Sequence, residues 1–167
     1  RQREGRPVLV LATAFALADL VERLERMNLH FRLPTGSAIF ETGGFKGRSK
    51  EIPADGLLAR AQIWLGIPAE SVVSEYGMTE LLSQAYSLCN GIFECPSWMQ
   101  ILIRDTEDAM TYVSNGKTGG INVIDLANIN SCSFIATQDL GKKYPNNSFE
   151  VLGRFDNSDI RGCNLMV

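Results

Sequence analysis

VVSEYGMTELL, residues 72 to 82, is the stretch on which the reading of this chain depends. Val72 to Tyr76 has the composition of a buried β-strand, Gly77 reverses the chain, and Thr79 stands as the N-cap of a helix predicted to open there. A strand that turns through a glycine into a helix is the corner of an open α/β sheet, where free backbone N–H groups and the positive helix end face the rim that takes ligands. Glu80 falls in the first turn of that helix. Acids are common there simply because the helix dipole favours them. A phosphate held at the same end would be repelled by Glu80 unless Mg2+ lay between them, since that ion is held by one or two carboxylates together with substrate phosphate oxygens.

Upstream of this corner the chain alternates strand and helix. Val8 to Leu11 is a short continuous apolar run suited to a buried strand, after which Phe15, Leu17, Leu20, Val21, Leu24 and Met27 recur at helical spacing. Glu22, Arg23, Glu25 and Arg26 make the wet face of that helix. Ser37 to Phe40 reads as a second strand running into Gly43 and Gly44, and Pro53 suits the first position of a helix carrying Leu57, Leu58, Ala61, Trp64 and Leu65. Gly66 and Pro68 end it. The predicted fold class is therefore α/β, with a mostly parallel sheet and flanking helices.

The character changes near Cys95-Pro96. Short strands then follow at close spacing, over Gln100 to Arg104, Met110 to Val113, Gly120 to Leu126, Ser133 to Thr137 and Phe149 to Leu152, with Asn115-Gly116 as a hairpin turn. This half predicts a smaller antiparallel or barrel-like β lobe, so the expected division is 1–95 as an α/β nucleotide-binding subdomain and 96–167 as a β-rich one.

The totals exclude several classes. Hydrophobic residues at 45% and charged residues at 21% match an ordinary folded chain. Sixteen basic against nineteen acidic residues, with no Lys/Arg block, speak against a nucleic-acid partner. The apolar run from Pro7 to Leu20 is broken by Thr13 and Asp19 and is too short to span a membrane. Cys89, Cys95, Cys132 and Cys163 form no C-x-x-C pair and His30 is the sole histidine, which leaves a zinc site without ligands at useful spacing and makes reduced thiols in the cytoplasm the expectation. His30 itself is expected to be solvated or capping. The Gly-Lys-Thr in NGKTGG, 115–120, lacks the glycine that a phosphate loop of the Walker type requires at position 111, where Thr111 stands.

Three further residues carry two readings each. Tyr76 could stack a nucleobase or be an ordinary core aromatic. Asp139, after the strand SFIAT, could hold a ribose diol or form an Asx-type turn ahead of Gly141. Arg154 could neutralise a phosphate or be an ordinary surface arginine. In TGGFKGRSK, 42–50, paired glycines would admit a planar ligand to the backbone and Lys46 and Arg48 could reach an anion, or the segment is a flexible basic loop.

Taken in order, ETGG, SEYGMTE, ATQDLG and VLGRFDNSDIRG resemble the motifs of the adenylate-forming (acyl-adenylate synthetase) superfamily over most of the chain. GSAIFETGGFKGR and the terminal DIRGCNLMV look most like the acyl-protein synthetases of the LuxE family, with phenylacetate-CoA ligase more distant. The resemblance implies ATP and Mg2+ as cofactors, with Gly43 and Gly44 lining an adenine pocket, Tyr76 packing on the base and Gly77 turning the chain beside it. It implies Thr79 at the α-phosphate, Glu80 on the metal, Asp139 on the ribose hydroxyls, and Arg154 at the ribose or phosphate. Asp156 falls where larger relatives hinge.

By the same resemblance a fatty acid or other carboxylic acid becomes an acyl-AMP and is then carried on Cys163 as a thioester, feeding an acyl-CoA-reductase-like protein. A thiolate can attack the carbonyl of a mixed anhydride, and Arg161 could lower the Cys163 pKa. The alternatives are an acyl- or aryl-CoA ligase and a non-catalytic ligase-like binding module. ATQDLG departs from many relatives in placing Gln138 where they have glycine. The superfamily's Ser/Thr/Gly-rich loop and its C-terminal lobe with a lysine do not occur in these 167 residues, so the resemblance implies part of a larger enzyme, inactive alone.

Overall fold

The computed structural model describes residues 5–43, 54–88 and 90–155, with the backbone alone at 54 and 55. The chain divides into two compact units, one running to Glu75 and including Leu88–Asn90, the other comprising Tyr76–Ser87 and the chain from Gly91 on.

In the first unit β1 (Leu9–Thr13), β2 (Ala38–Thr42) and β3 (Val72–Tyr76) alternate with α1 (Ala14–Met27) and α2 (Ala54–Leu65). β1 pairs parallel with β2, Leu9 opposite Ala38, and β2 parallel with β3, Ile39 opposite Val72. α1 starts where the Thr13 hydroxyl accepts from the Ala16 N–H and ends at Asn28 in the left-handed region, φ +51°, with the Leu29 N–H returning to the Leu24 carbonyl. Leu17, Val21 and Leu24 fall three and four apart and are buried, whereas Phe15, Leu20 and Met27 lie outside that face. The apolar stripe in the sequence is thus wider than the face that packs. Leu17, Val21, Ile39 and Val72 have no exposed surface, each stabilising the unit by about 2 kcal/mol. Leu57, Ala61 and Leu65 of α2 complete this core, and Arg60 of α2 pairs with Glu25 of α1. Ser37 fastens the strand entry, accepting from the Val8 N–H and donating to the Pro34 carbonyl. His30 is exposed and caps as expected, its Nδ1 lying 3.3 Å from the Ile63 carbonyl in the last turn of α2, while its ring stacks on Trp64 with centroids 4.1 Å apart.

The second unit begins with Tyr76 and the turn after it and takes in Ala85–Ser87 of β4 (Ala85–Leu88), which bridges Glu94 through Tyr86. Its sheet has five antiparallel strands in the order β5-β9-β8-β7-β6, where β5 is Ile92–Phe93, β6 Met99–Arg104, β7 Thr118–Asp125, β8 Phe134–Lys143 and β9 Phe149–Arg154. Met99, Ile101 and Ile103 alternate inward and meet Ile121, Val123 and Phe149. Register shifts between Gly120 and Asn122 and between Leu140 and Gly141 mark bulges, which bend and twist the strands that carry them. The α/β fold class, a parallel sheet with helices followed by an antiparallel β lobe, is present as expected.

Three local expectations are corrected. No helix opens at Thr79: Met78 to Leu81 is a turn closed by the Leu81 N–H on the Met78 carbonyl, and the chain runs on to β4. Met110 to Val113 is not a strand but an isolated bridge, Arg104 to Tyr112, because Asp105 and Asp108 side chains take the amides of Glu107, Asp108 and Met110. Asp139 does not sit in an Asx-type turn, since β8 continues through it to Lys143. Asn115-Gly116 does turn the chain, with Gly116 at φ +81°. Among the described residues no helix is long and apolar enough to cross a membrane.

Candidate functional site

At the carboxyl end of the parallel sheet, β2 and β3 place acids and hydroxyls side by side. Thr42 donates to Glu75 at 2.9 Å, and burial raises the Glu41 carboxyl above its ordinary value against the opposing effect of a Ser74 hydrogen bond. Gly43 follows at φ +69°, a left-handed conformation that favours glycine. Gly44, Lys46 and Arg48 lie outside the described residues. This rim belongs to the first unit.

Tyr76, Asp139 and Arg154, far apart in sequence, meet in the second unit. β8 and β9 pair so that Asp139 stands opposite Arg154. The Arg154 Nε lies 3.6 Å from one Asp139 oxygen, and the Tyr76 hydroxyl donates to the other at 2.9 Å. The Tyr76 ring is a core aromatic, edge-on to Phe149 at 5.3 Å and to Phe93 at 6.0 Å. Burial, then the charge and hydrogen bond of Asp139, push its hydroxyl far above the ordinary phenol range, with Thr137 and Arg154 acting the other way. Tyr76 therefore remains neutral and donating at any physiological pH. Asp139 keeps unfilled acceptor positions, because an ionised carboxylate offers about four.

Gly77, Thr79 and Glu80 follow Tyr76 on the turn, with the Thr79 and Glu80 side chains in solvent. What holds the turn was not foreseen. Asp125, at the end of β7 and without exposed surface, accepts from the Leu82 and Ser83 N–H groups, from the Ser83 hydroxyl and from the Ala127 N–H. Asn128 donates to the Glu80 carbonyl at 2.6 Å, and the Trp98 indole to the Ser83 oxygen at 2.8 Å. Burial alone would raise the Asp125 carboxyl, but these hydrogen bonds bring it below the usual carboxylate value. The only sequence signal was an acid closing the alternating run INVID at an inward position.

Glu80 thus points outward from a turn fixed from behind. A lone exposed carboxylate suits Mg2+ only together with phosphate oxygens, and among the described residues no group of three His, Cys, Asp or Glu side chains could hold a metal. Of the cysteines, Cys95 is half-buried with its thiol pushed up to about 11 by burial, despite the lowering effect of Lys143. Cys132 is exposed, whereas Cys89 and Cys163 lie outside the described residues, as does Asp156.

Several solved structures share this fold. An ATP-bound MatB from Rhodopseudomonas palustris matches with TM-score 0.61 and 18% identity, over 89% of this chain and 31% of that one. A long-chain-fatty-acid-CoA ligase, FadD1, from Archaeoglobus fulgidus matches with TM-score 0.61 and 16% identity, over 88% and 34%. O-succinylbenzoate coenzyme A synthetase, MenE, from Bacillus subtilis in complex with AMP matches with TM-score 0.58 and 24% identity, over 88% and 31%. The chain therefore spans about a third of the length of these proteins, and its fold is that of a segment of an adenylate-forming ligase. Within that class it belongs to the acyl-protein synthetase family LuxE, whose profile matches residues 2–167. No curated protein matches it.

Proposed function

We propose that this chain is the nucleotide-holding portion of an ATP-dependent acyl-protein synthetase. The observation that carries the reading is the Tyr76–Asp139–Arg154 cluster, in which three separated motifs supply one carboxylate with spare acceptor capacity, one neutral donor and one cation. In this reading Asp139 accepts from the ribose hydroxyls of ATP, and Arg154, paired with Asp139, stands at the ribose or phosphate. Tyr76 packs beside the base and locks Asp139 in place. Gly43 and Gly44 let the adenine approach the backbone, Gly77 gives the turn its reversal, and Thr79 donates to the α-phosphate. Glu80 would hold Mg2+, which would neutralise phosphate charge.

The substrate carboxylate attacks the α-phosphorus of ATP, releasing pyrophosphate and forming acyl-AMP. The Cys163 thiolate then attacks the acyl carbonyl, the bond to AMP breaks, and the acyl group remains as a thioester for a reductase of the acyl-CoA-reductase kind. The raised Cys95 thiol is a poor candidate for that attack.

The test is to incubate the full-length protein with ATP, Mg2+ and labelled fatty acid, with and without coenzyme A. Protein-bound label that survives Cys95→Ser and Cys132→Ser but not Cys163→Ser is expected. Free labelled acyl-CoA without protein label would instead mean a CoA ligase. Absence of ATP binding by calorimetry, unchanged by Glu80→Ala, would mean a non-catalytic binding module.

A further inference from the structure

Arg104, the last residue of β6, is 8% exposed, an unusual place for a guanidinium. Its partners are neutral. One terminal nitrogen donates to the Ile121 carbonyl at 3.1 Å and the Asn122 side-chain oxygen at 2.6 Å, and the other to the Thr137 carbonyl at 2.6 Å. Its Cζ lies 5.2 Å from the centre of the Phe155 ring, within cation–π range. Space for the group comes from Gly120, the register partner of Arg104, where a Cβ would stand 2.5 Å from Cζ and 2.8 Å from Nε. A buried cation is costly unless its donors are met, so this arrangement persists because the planar fork matches acceptors on two strands at once.

Those acceptors lead directly to the site. Thr137, gripped through its carbonyl, donates its hydroxyl to the Ile121 carbonyl at 2.9 Å, and its Oγ1 accepts the Asp139 N–H at 3.1 Å. Phe155 returns its N–H to the Gln138 carbonyl at 3.0 Å, directly after Arg154. One guanidinium therefore contacts the residue two before Asp139 and the residue one after Arg154.

We infer that Arg104 is a positioning residue that sets the Asp139–Arg154 pair, and with it the selection of a ribonucleotide over a deoxyribonucleotide. The second clause rests on the proposed role of Asp139; the first does not. Between its pairs with Gly120 and Asn122 of β7, β8 carries three residues, Thr137 to Asp139, opposite one, so its ladder alone fixes the carboxylate loosely, and the fork lying over Gly120 supplies the missing constraint.

The experiment uses the full-length protein with Arg104→Met, Arg104→Lys and Gly120→Ala, the last placing a methyl in the guanidinium's position. Amide hydrogen exchange at Thr137, Asp139 and Phe155 is expected to accelerate about tenfold or more in Arg104→Met and Gly120→Ala, while Ile101 and Val123 change little. The ratio of kcat/KM for ATP over 2′-deoxyATP is expected to fall about tenfold in the same variants, and not to fall further when Arg104→Met is added to Asp139→Ala. Arg104→Lys, which keeps charge without the fork, is expected to fall between, and it stands in if Arg104→Met does not fold. Native exchange and a native ratio in folded Arg104→Met would overturn the inference. A wild-type protein that takes 2′-deoxyATP as readily as ATP would sink the ribose reading, and exchange would then decide the role of Arg104 by itself.

Discussion

Two acids of the antiparallel sheet, Asp125 and Asp139, look alike in sequence and act differently. Asp125 has no exposed surface and accepts four hydrogen bonds, all from the chain's own turns. Asp139 retains 19% side-chain exposure, one tyrosine donor and one arginine at 3.6 Å. A carboxylate whose acceptor positions are all taken internally is a fastener; one with positions left and a cation beside it can take a ligand. The distinction is a count of partners, which single substitutions can test.

The largest effect on stability is expected from Asp125→Ala. It takes the acceptor from the Leu82 amide and the buried Ser83 amide and frees the turn that presents Glu80, a loss of about 2–4 kcal/mol in unfolding free energy measured by urea titration. The pH dependence follows from the sign of its shift. The folded carboxyl lies below its unfolded value of about 4, so its contribution is full above that value and fades as pH falls toward the folded one. The stability gap between wild type and Asp125→Asn should therefore be constant from pH 7 down to about 5 and close below about 4. A gap that persists undiminished at pH 3 would mean that Asp125 is not the titrating fastener described.

Asp139→Ala is expected to reverse the pattern. It loses one hydrogen bond and one 3.6 Å ion pair where Asp125→Ala loses four hydrogen bonds, so the stability should fall less than in Asp125→Ala, while kcat/KM for ATP falls about 10- to 100-fold. Equal loss of stability in the two variants, with ATP kinetics intact in Asp139→Ala, would erase the contrast.

Sequence reasoning reached one of these acids and not the other for a physical reason. Strands and helices up to Tyr76 were legible because burial imposes a period of 2 or 3.6 on the residues, and Leu17, Val21, Ile39 and Val72 pack where that period placed them. Asp139 was legible through its motif. Asp125, Asn128 and Arg104 were not, because the bonds that fasten the turn and β8 reach groups 17 to 48 positions away and leave no local pattern, the short-range Asp125–Ala127 and Asn128–Ser131 bonds apart. The helix expected at Thr79 failed similarly: Gly77 and an N-cap residue are as compatible with a turn as with a helix, and Asp125 supplies the amide acceptor that a helix would have replaced.

Tyr76→Phe cuts only the hydroxyl that joins the core to Asp139, leaving the ring against Phe149 and Phe93. A cost of about 1 kcal/mol in stability and a severalfold rise in KM for ATP are expected, both flat between pH 6 and 9 because the buried hydroxyl does not ionise there. A rise in KM confined to alkaline pH would contradict its role as a neutral donor.

The smallest structural effect belongs to Glu80→Gln, and it separates holding a turn from presenting a side chain. Asn128 holds position 80 through the backbone carbonyl, which glutamine keeps, and the exposed side chain contributes nothing to the core. Unfolding should shift by less than about 0.5 kcal/mol. If Glu80 meets Mg2+ as proposed, the magnesium concentration for half-maximal acyl-AMP formation should nonetheless rise about tenfold or more, since an amide oxygen is a far weaker ligand for a hard cation. Stability lost with magnesium dependence unchanged would make Glu80 another fastener and would put the functional side of this turn elsewhere.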